Sequence, residues 1–557
     1  MRTLTCLLIL SAVANAQAPA AYDVVVYGGT AGGAMTAISA ARQGLKAVIV
    51  EPGQHVGGML TGGLSRTDVG KREVIGGLSL EFYVRVGMRY GMHRFLQPMA
   101  WLYEPRIGES VLREMLDEAK VHVLYGERLR EKTGVIKTGT QVTGTQVSEI
   151  VLESGKRLRG KVFADASYEG DLMAQAKVTY TWGRESSAQY GESLAGVRER
   201  TPLHQFLVDV SAKDAQGNLL PEIEAGPPGR PPARAGSADR RVQAYNFRVI
   251  ATNNPDNRIP WPKPAGYDPK RYELLIRDIL ETTKQDGRVP VLNELSLIAP
   301  IPNQKADFNN RGGFSSDYIG KNYEYPNGDY QTRARIWQEH IDYQQGLYYF
   351  LANDPRVPGT LQQEVRTWGL SKDEFEDTGH WPHQLYIREA RRMVGETVLT
   401  QKDMQTDLLK SDVIGMGSYN SDSHNLQRFV NARGFAENEG DMQVAVKPYQ
   451  IPYRMLTPKK TEVTNLLVPV CFSASHVAYS SARMEPQYMI LGHAAGVAAA
   501  MAIRTGKPVQ EISIADLQKT LRQEGAVFEY APNQQMDALE VIRRRGAPAI
   551  RLRNTGN

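Results

Sequence analysis

From Tyr22 the chain runs through the apolar stretch VVVY, a glycine pair, a segment of small residues with apolar positions at helical spacing, Gly44, and a second apolar stretch, AVIV. Short runs that are apolar on both faces suit strands buried between layers, and the small-residue segment up to Arg42 suits a helix between them. Residues 22–50 therefore predict strand, helix, strand, a parallel βαβ unit. Further on, IGESVLREMLDEAK carries apolar residues at helical spacing, and VHVLY follows as a strand. The segment GVIKTGTQVTGTQVSEIVLESGKRLRG alternates and turns like a meander, and KVFADAS returns as a buried strand ending at an acid.

From Thr201 to Val446 the texture changes to Pro, Asn, Tyr and Trp among irregular segments, with one long helical stretch in YQTRARIWQEHIDYQQGLYYFLAND. This reads as an insertion. NLLVPV then predicts a strand. EPQYMILGHAAGVAAAMAIRTGKP predicts a helix with Pro486 in its first turn, Gly506 past its end and Pro508 as a stop. SIADLQKTLRQEG predicts a last helix, opened by Ser513 and closed by Gly525. The expected organisation is a leader at 1–18, a first domain part at 19–200, a substrate-side insertion at 201–446, the returning part at 447–510 and a helical tail at 511–557. No internal repeat is present.

Composition changes this picture in two places. With 557 residues, 41% of them hydrophobic, more than one structural unit is expected. The first residues place Arg2 before an apolar run from Leu4 to Val13, followed by the small-x-small sites Ala14-Asn15-Ala16 and Ala16-Gln17-Ala18, the pattern of a secretory signal. That run is too short to span a bilayer, which needs about 20 residues. Its removal takes away Arg2 and Cys6 and leaves Cys471 as the last of the 2 cysteines, so no intramolecular disulfide and no cysteine-ligated iron-sulfur cluster is expected. A secreted or periplasmic location with no membrane span follows. The formal charge of +5 is spread without a long basic run, which gives no reason to expect nucleic acid as a partner.

The glycines after the first strand carry the chemistry. In G-x-G-x-x-G, the first glycine makes the turn, the second lets backbone approach a pyrophosphate and the third lets helix pack on strand. Gly28 and Gly33 fill the outer positions, with Gly29 and Gly32 beside them, and Thr30 stands in the middle with a hydroxyl able to donate to phosphate. The helix dipole adds a positive end there. Glu51, ending the second strand, suits the hydroxyls of a ribose. These features predict a dinucleotide, and the doublets Gly57-Gly58 and Gly62-Gly63 allow backbone to run close under a flat, extended cofactor.

Four blocks, VVVYGGTAGG with VIVEPGQHVGGMLTGG, VFADASYEGDLMAQA with GRESSAQYGESLAGV, DTGHWPHQLYIREARRMVG, and NLLVPVCFSASHVAYSSARMEPQYMILGHAAG, resemble the FAD-dependent oxidoreductases of the glutathione-reductase-like superfamily. The closer likeness is to a secreted bacterial branch distantly related to the A subunit of heterodisulfide reductase. The resemblance implies an α/β protein: a discontinuous Rossmann-like FAD-binding domain, βαβ plus meander, with a large inserted α+β substrate domain. It implies non-covalent FAD held without need of NAD(P)H. Gly28, Thr30 and Gly33 would line the pyrophosphate, Gly57 and Gly58 the flavin side, and Asp165 the nucleotide. Met484 and Pro486 would open a helix aimed at the flavin pyrimidine edge, where reduction places negative charge.

Flavin chemistry on an alcohol needs a base, and His476, between a strand end and that helix, is the candidate, with Tyr479 and Arg483 orienting substrate. Trp381 and His383 are read as substrate contacts. A metal site at His380 and His383 with Asp377 as third ligand is disfavoured, because Pro382 breaks helical register and no fourth ligand is evident. His55 is read as a hydrogen-bonding neighbour of the cofactor or a simple surface residue, with covalent flavin attachment as the alternative. Cys471 reads as a small buried hydrophobe. Aromatic and amide residues in NNRGGFSSDYIGKNYEYPNGDY and GMGSYNSDSHNLQRF suit a sugar. The expected activity is oxidation of a secondary alcohol of a carbohydrate or related small molecule by hydride transfer to flavin N5, with electrons passing to oxygen, a quinone or an exported carrier. Two alternatives stand beside it: a redox-neutral FAD-dependent lyase or isomerase on polysaccharide, and a non-enzymatic glycan-binding protein with a vestigial cofactor fold.

Overall fold

The computed structural model describes residues 20–92, 99–140, 144–223 and 233–532. The expected leader at 1–18, including Cys6, lies outside them. Five parallel strands form the central sheet in the order Leu466–Leu467, Val162–Asp165, Val24–Tyr27, Ala47–Glu51, His122–Tyr125. Side chains alternate across it. Val24, Val26, Ile49 and Ala164 belong to a core shared with the helices, whereas Val25, Tyr27, Val48, Val50 and Phe163 pack with Val147, Ile150 and Leu158 of the meander. The meander is an antiparallel array of Val135–Thr140, Gly144–Val151 and Arg157–Arg159, as its alternation predicts. NLLVPV yields only a two-residue strand. Pro469 has no amide to pair, and the Val468 amide turns to the carbonyl of Leu456 at 2.8 Å.

The helices fall where periodicity puts them. The fingerprint helix spans Ala31–Arg42 and the alanine-rich helix Glu485–Thr505, the latter closed by Gly506 at φ 65°. These two cross over the sheet with almost no side chain between them. A methyl group on Gly492 would lie 2.1 Å from the Gly32 carbonyl oxygen, and one on Gly496 would lie 2.5 Å from that of Thr36. Ser39 Oγ donates to the His493 carbonyl at 2.9 Å across the crossing. The helix Pro105–Glu118 and the tail helix Ile514–Gln523, capped by Ser513, complete this unit.

The inserted region carries its own antiparallel five-stranded sheet, ordered Arg258–Ile259, Gly369–Ser371, Val249–Thr252, Lys305–Asn310, Ser296–Ile301. Against it lies the helix Tyr330–Asn353, whose Asp329 cap accepts from the Thr332 amide at 2.8 Å. Its aromatics bind one another: Tyr318 stacks on Tyr343 at 4.0 Å and Trp261 on Tyr348 at 4.5 Å. Phe314, Tyr318 and Tyr325, read above as surfaces for sugar rings, are buried in this packing. Tyr449–Pro452, expected at the start of the returning part, pairs instead with Val413–Gly417 of the insertion. Among the described residues no helix is long and apolar enough to cross a membrane.

The crossing sets a test. Gly492→Ala forces a Cβ into the Gly32 carbonyl and should cost about 1–3 kcal/mol. Gly359→Ala, at a position with open space around it, should stay within about 0.5 kcal/mol. Denaturant unfolding of both variants measures the contrast.

Candidate functional site

The turn after Val24–Tyr27 is built from backbone. Gly28 takes φ 98°, and a Cβ there would meet the Ser167 amide nitrogen at 2.6 Å. The Gly29 amide donates to Glu51 Oε2 and the Gly53 amide to Glu51 Oε1, both at 2.6 Å. Burial pushes the Glu51 carboxyl up to about 7 despite these bonds. Each of its oxygens keeps a lone pair for a hydroxyl donor. Thr30 departs from its expected role. Its hydroxyl donates to the Ala166 carbonyl at 2.7 Å and accepts from the Gly33 amide at 3.1 Å, so its one proton is spent inside the protein. Thr30 is a helix cap, and donors for a phosphate come from the amides of the first helical turn.

Gly32 and Gly33 serve close packing: a Cβ on Gly33 would lie 1.9 Å from the Gly28 carbonyl oxygen. The Gly57 amide reaches the Gly29 carbonyl at 2.6 Å, which ties the glycine doublet to the fingerprint. Gly58 leaves room for the Tyr168 hydroxyl, 2.4 Å from where its Cβ would be. Asp165 is fully buried and accepts from Ser167 Oγ at 2.7 Å and the Met173 amide at 2.7 Å. It shapes the loop that presents Ser167 and Tyr168, while those two residues line the cleft. Cys471 donates to the carbonyls of Ser167 and Tyr168 at 3.3 Å each and is buried, as expected of a packed thiol.

These elements enclose a cleft of about 540 Å³, whose far wall is supplied by the insertion through Trp337, His383 and Gln384. His55 sits in it with Nδ1 3.1 Å from Glu109 and Nε2 3.1 Å from Asp377. Burial alone would lower its pKa, but the two carboxylates outweigh that and raise it. The His383 ring lies parallel to it at 3.9 Å, with neither ring nitrogen partnered. Burial, reinforced by His55, pulls His383 down to about 3. Asp377 thus serves His55, and His380 turns away to the Glu374 carbonyl at 3.3 Å. Trp381 does not offer a stacking face: it is buried edge-on against Phe247 at 5.7 Å. The carboxylates of Glu104, Asp373 and Glu374 converge elsewhere, but Lys305 Nζ fills that site at 2.6, 2.8 and 2.7 Å.

A second polar layer begins where the alanine-rich helix starts. Met484 and Pro486 are buried there, and Glu485 between them accepts from the Tyr168 hydroxyl at 2.8 Å. That hydroxyl in turn accepts from the Met59 amide at 2.9 Å. Glu485 Oε2 and the Gln487 amide are buried without partners. Native interiors rarely leave such atoms unpaired, so this group, between the glycine doublet and a helix start, fits the polar edge of a bound cofactor ring.

Of the three expected catalytic residues, Arg483 alone joins this layer. Its Nη1 donates to Tyr386 OH at 3.0 Å and its Nη2 to the Asp422 carbonyl at 2.9 Å. Tyr479 bonds the Val470 carbonyl at 3.2 Å and the Tyr488 hydroxyl at 2.8 Å inside the core. His476 has both ring nitrogens taken, Nδ1 by Glu389 at 2.7 Å and Nε2 by Ser423 Oγ at 3.2 Å. Burial, then the Arg392 charge, lowers it to about 3. Its geometry is that of an anchoring histidine.

The sequence reading passed over His424. Its Nδ1 meets Asp317 Oδ2 at 2.6 Å, and Arg388 approaches the other Asp317 oxygen at 3.1 Å. Although burial opposes it, Arg388 and His424 hold Asp317 down to about 2. Burial and then Arg388 lower His424 to about 3. Among the described residues no group bonds His424 Nε2. Arg388 stacks over Tyr386 at 4.6 Å, the same ring that Arg483 binds, so the dyad and the helix start share one layer. Burial pushes nearby Asp422 up to about 6, against the pull of Arg483. The local cue was SDSHN, but Asp317 lies 107 residues away and no spacing pointed to it.

A family model described as FAD dependent oxidoreductase matches residues 23–521. No curated protein sequence matches the chain. Among solved structures, Thermovibrio ammonificans THI4 overlaps at 16% identity and TM-score 0.22, over 29% of this chain and 63% of that one. The OxyS anhydrotetracycline hydroxylase from Streptomyces rimosus overlaps at 15% and 0.21, over 30% and 35%. Cyclohexanone monooxygenase from Rhodococcus sp. Phi1 overlaps at 16% and 0.20, over 27% and 26%. The chain thus spans less than two thirds of each, and these partial likenesses do not bear on activity.

Glu485 supplies a test. Its folded carboxyl is raised from 4.5 to about 8, so its contribution is full below the unfolded value and is lost as pH rises through the folded one. Unfolding titrations across pH should show wild type losing on the order of 1 kcal/mol per pH unit relative to Glu485→Gln between about pH 5 and pH 8. Parallel pH curves would contradict the buried neutral acid.

Proposed function

The chain belongs to the FAD dependent oxidoreductase family, and from that premise we propose that it oxidises a secondary alcohol of a polyhydroxylated small molecule or glycan, with His424 as the base. The fingerprint helix start and the Gly28 turn would hold the diphosphate, Glu51 the ribose, and the Tyr168–Glu485 side the ring. When bound there without a covalent link, FAD supplies a two-electron acceptor for hydride.

The single observation that carries the choice of base is the Asp317–His424 pair with its open Nε2. Asp317 accepts the Nδ1 proton, which fixes the tautomer that leaves a lone pair on Nε2 and stabilises the imidazolium once a proton arrives. The hydroxyl proton passes to that nitrogen as the carbon becomes a carbonyl. Arg388 keeps Asp317 ionised, and Arg483 with Tyr386 orients the substrate oxygen. The mixture of acids, guanidinium groups and phenols here suits several hydroxyls at once, which supports a polyol or glycoside. The segment Leu4–Val13 after Arg2 supports an exported protein, with electrons passed on to oxygen, a quinone or a carrier.

Anaerobic mixing with a panel of polyols and glycosides tests this reading. Some member should bleach the flavin. His424→Ala should slow bleaching by about 10²–10⁴ with flavin content unchanged, and His476→Ala should act mainly through stability. A panel without any bleaching, or a His424→Ala protein that reacts like wild type, would contradict it.

A further inference from the structure

A second histidine–aspartate pair stands beside the proposed base. The strand Ser421–Ser423 pairs antiparallel with Met442–Val444, Ser423 opposite Met442, so His424 and Asp441 leave the same end of the ladder. Asp441 is buried, and its Oδ1 lies 2.9 Å from Nδ1 of His204. The His204 ring is within 13° of parallel to that of His424, with centroids 5.9 Å apart. Two amides hold its backbone there at φ 49°, a left-handed conformation uncommon outside glycine. Asn425 Nδ2, from the residue after His424, donates to the His204 carbonyl at 2.8 Å, and Asn438 Nδ2 donates at 2.9 Å. Burial alone would lower the His204 ring, but Asp441, then Asp317 and Asp422, outweigh it and hold its proton on. At His424 burial comes first in keeping a proton off; Arg388 and His204 add to it, and Asp317 opposes it.

Resting on the base assigned above, we infer that His204 is a positioning residue for the reaction: its cationic ring, anchored on Asp441, keeps solvent protons off His424, so that Nε2 is free when a hydroxyl arrives. The effect is Coulombic and needs the nearness of the two rings, not a bond between them. It matters in acid. At high pH His204 is neutral, but protons are then too scarce to occupy His424. As pH falls, His204 charges first and opposes the second proton. No bond changes at His204 itself; the hydroxyl proton goes to His424 and the hydride to flavin.

The test titrates the full-length protein by NMR, with its 10 histidines labelled at a ring carbon and the His424 signal identified by its loss in His424→Ala. Wild type is compared with His204→Asn, which suits the left-handed backbone, and with His204→Asn/Asp441→Asn, which also removes the carboxylate left behind. His424 should begin to titrate about 1 pH unit higher in His204→Asn and return part of the way in the double variant. Anaerobic bleaching by the fastest member of the polyol and glycoside panel should match wild type at about pH 8, with its acid limb moved up by the same amount. A His424 signal that titrates alike in wild type and His204→Asn, or bleaching reduced equally at every pH, would overturn the inference and leave His204 a loop anchor. A shifted His424 signal beside an unmoved acid limb, or no bleaching by any member, would overturn His424 as the base and the catalytic role of His204 with it.

Discussion

Everything in this molecule depends on two helices crossing at a distance that admits no side chain. Gly32 and Gly492 face each other so closely that one methyl group would strike a carbonyl oxygen at 2.1 Å. Gly496 repeats the contact one turn later. This crossing brings the start of the alanine-rich helix, distant in sequence, to the same end of the sheet as the fingerprint turn. The fingerprint helix start borders the cleft, and the alanine-rich helix start meets the cleft wall through the Tyr168–Glu485 hydrogen bond. Glycine here is a packing residue as much as a phosphate-binding one, which is why the middle position of the fingerprint tolerates a threonine that has turned inward to cap its own helix.

The second constraint is desolvation. Asp317, Glu485, Arg388, Arg483, His424 and His476 are buried and Asp422 is half-buried, and each has had its proton affinity set by desolvation or by specific partners. Charged groups were not removed from this interior; they were paired. Where pairing is complete, as around His476 and Lys305, the group is an anchor. Where a buried polar atom is left unpaired, as on His383 and at Glu485 Oε2, the protein bears the cost of that desolvation.

Local signals in the sequence carried the sheet, the two crossing helices, the meander and the tail cap, because each rests on periodicity or a capping residue within one short window. The site was legible only where it coincides with those windows: Gly28, Gly57, Glu51 and Arg483. For Thr30 and Asp165 the sequence did not reveal that both polar groups bond the protein's own atoms, since whether a hydroxyl or carboxylate faces a ligand or its own backbone depends on partners brought from elsewhere in the fold. His424 was missed for the same reason in reverse. Its partner Asp317 and the supporting Arg388 come from separate segments of the insertion, and nothing local marks them as one unit. The tyrosines of that region were overread as sugar platforms because composition does not distinguish a stacked core from a stacked ligand.

The most direct measurement is the identity and amount of nucleotide set free when the purified chain is unfolded. The account predicts one FAD per chain, released intact. Release of a nicotinamide dinucleotide, or a colourless protein that takes up no FAD when it is offered, would contradict it.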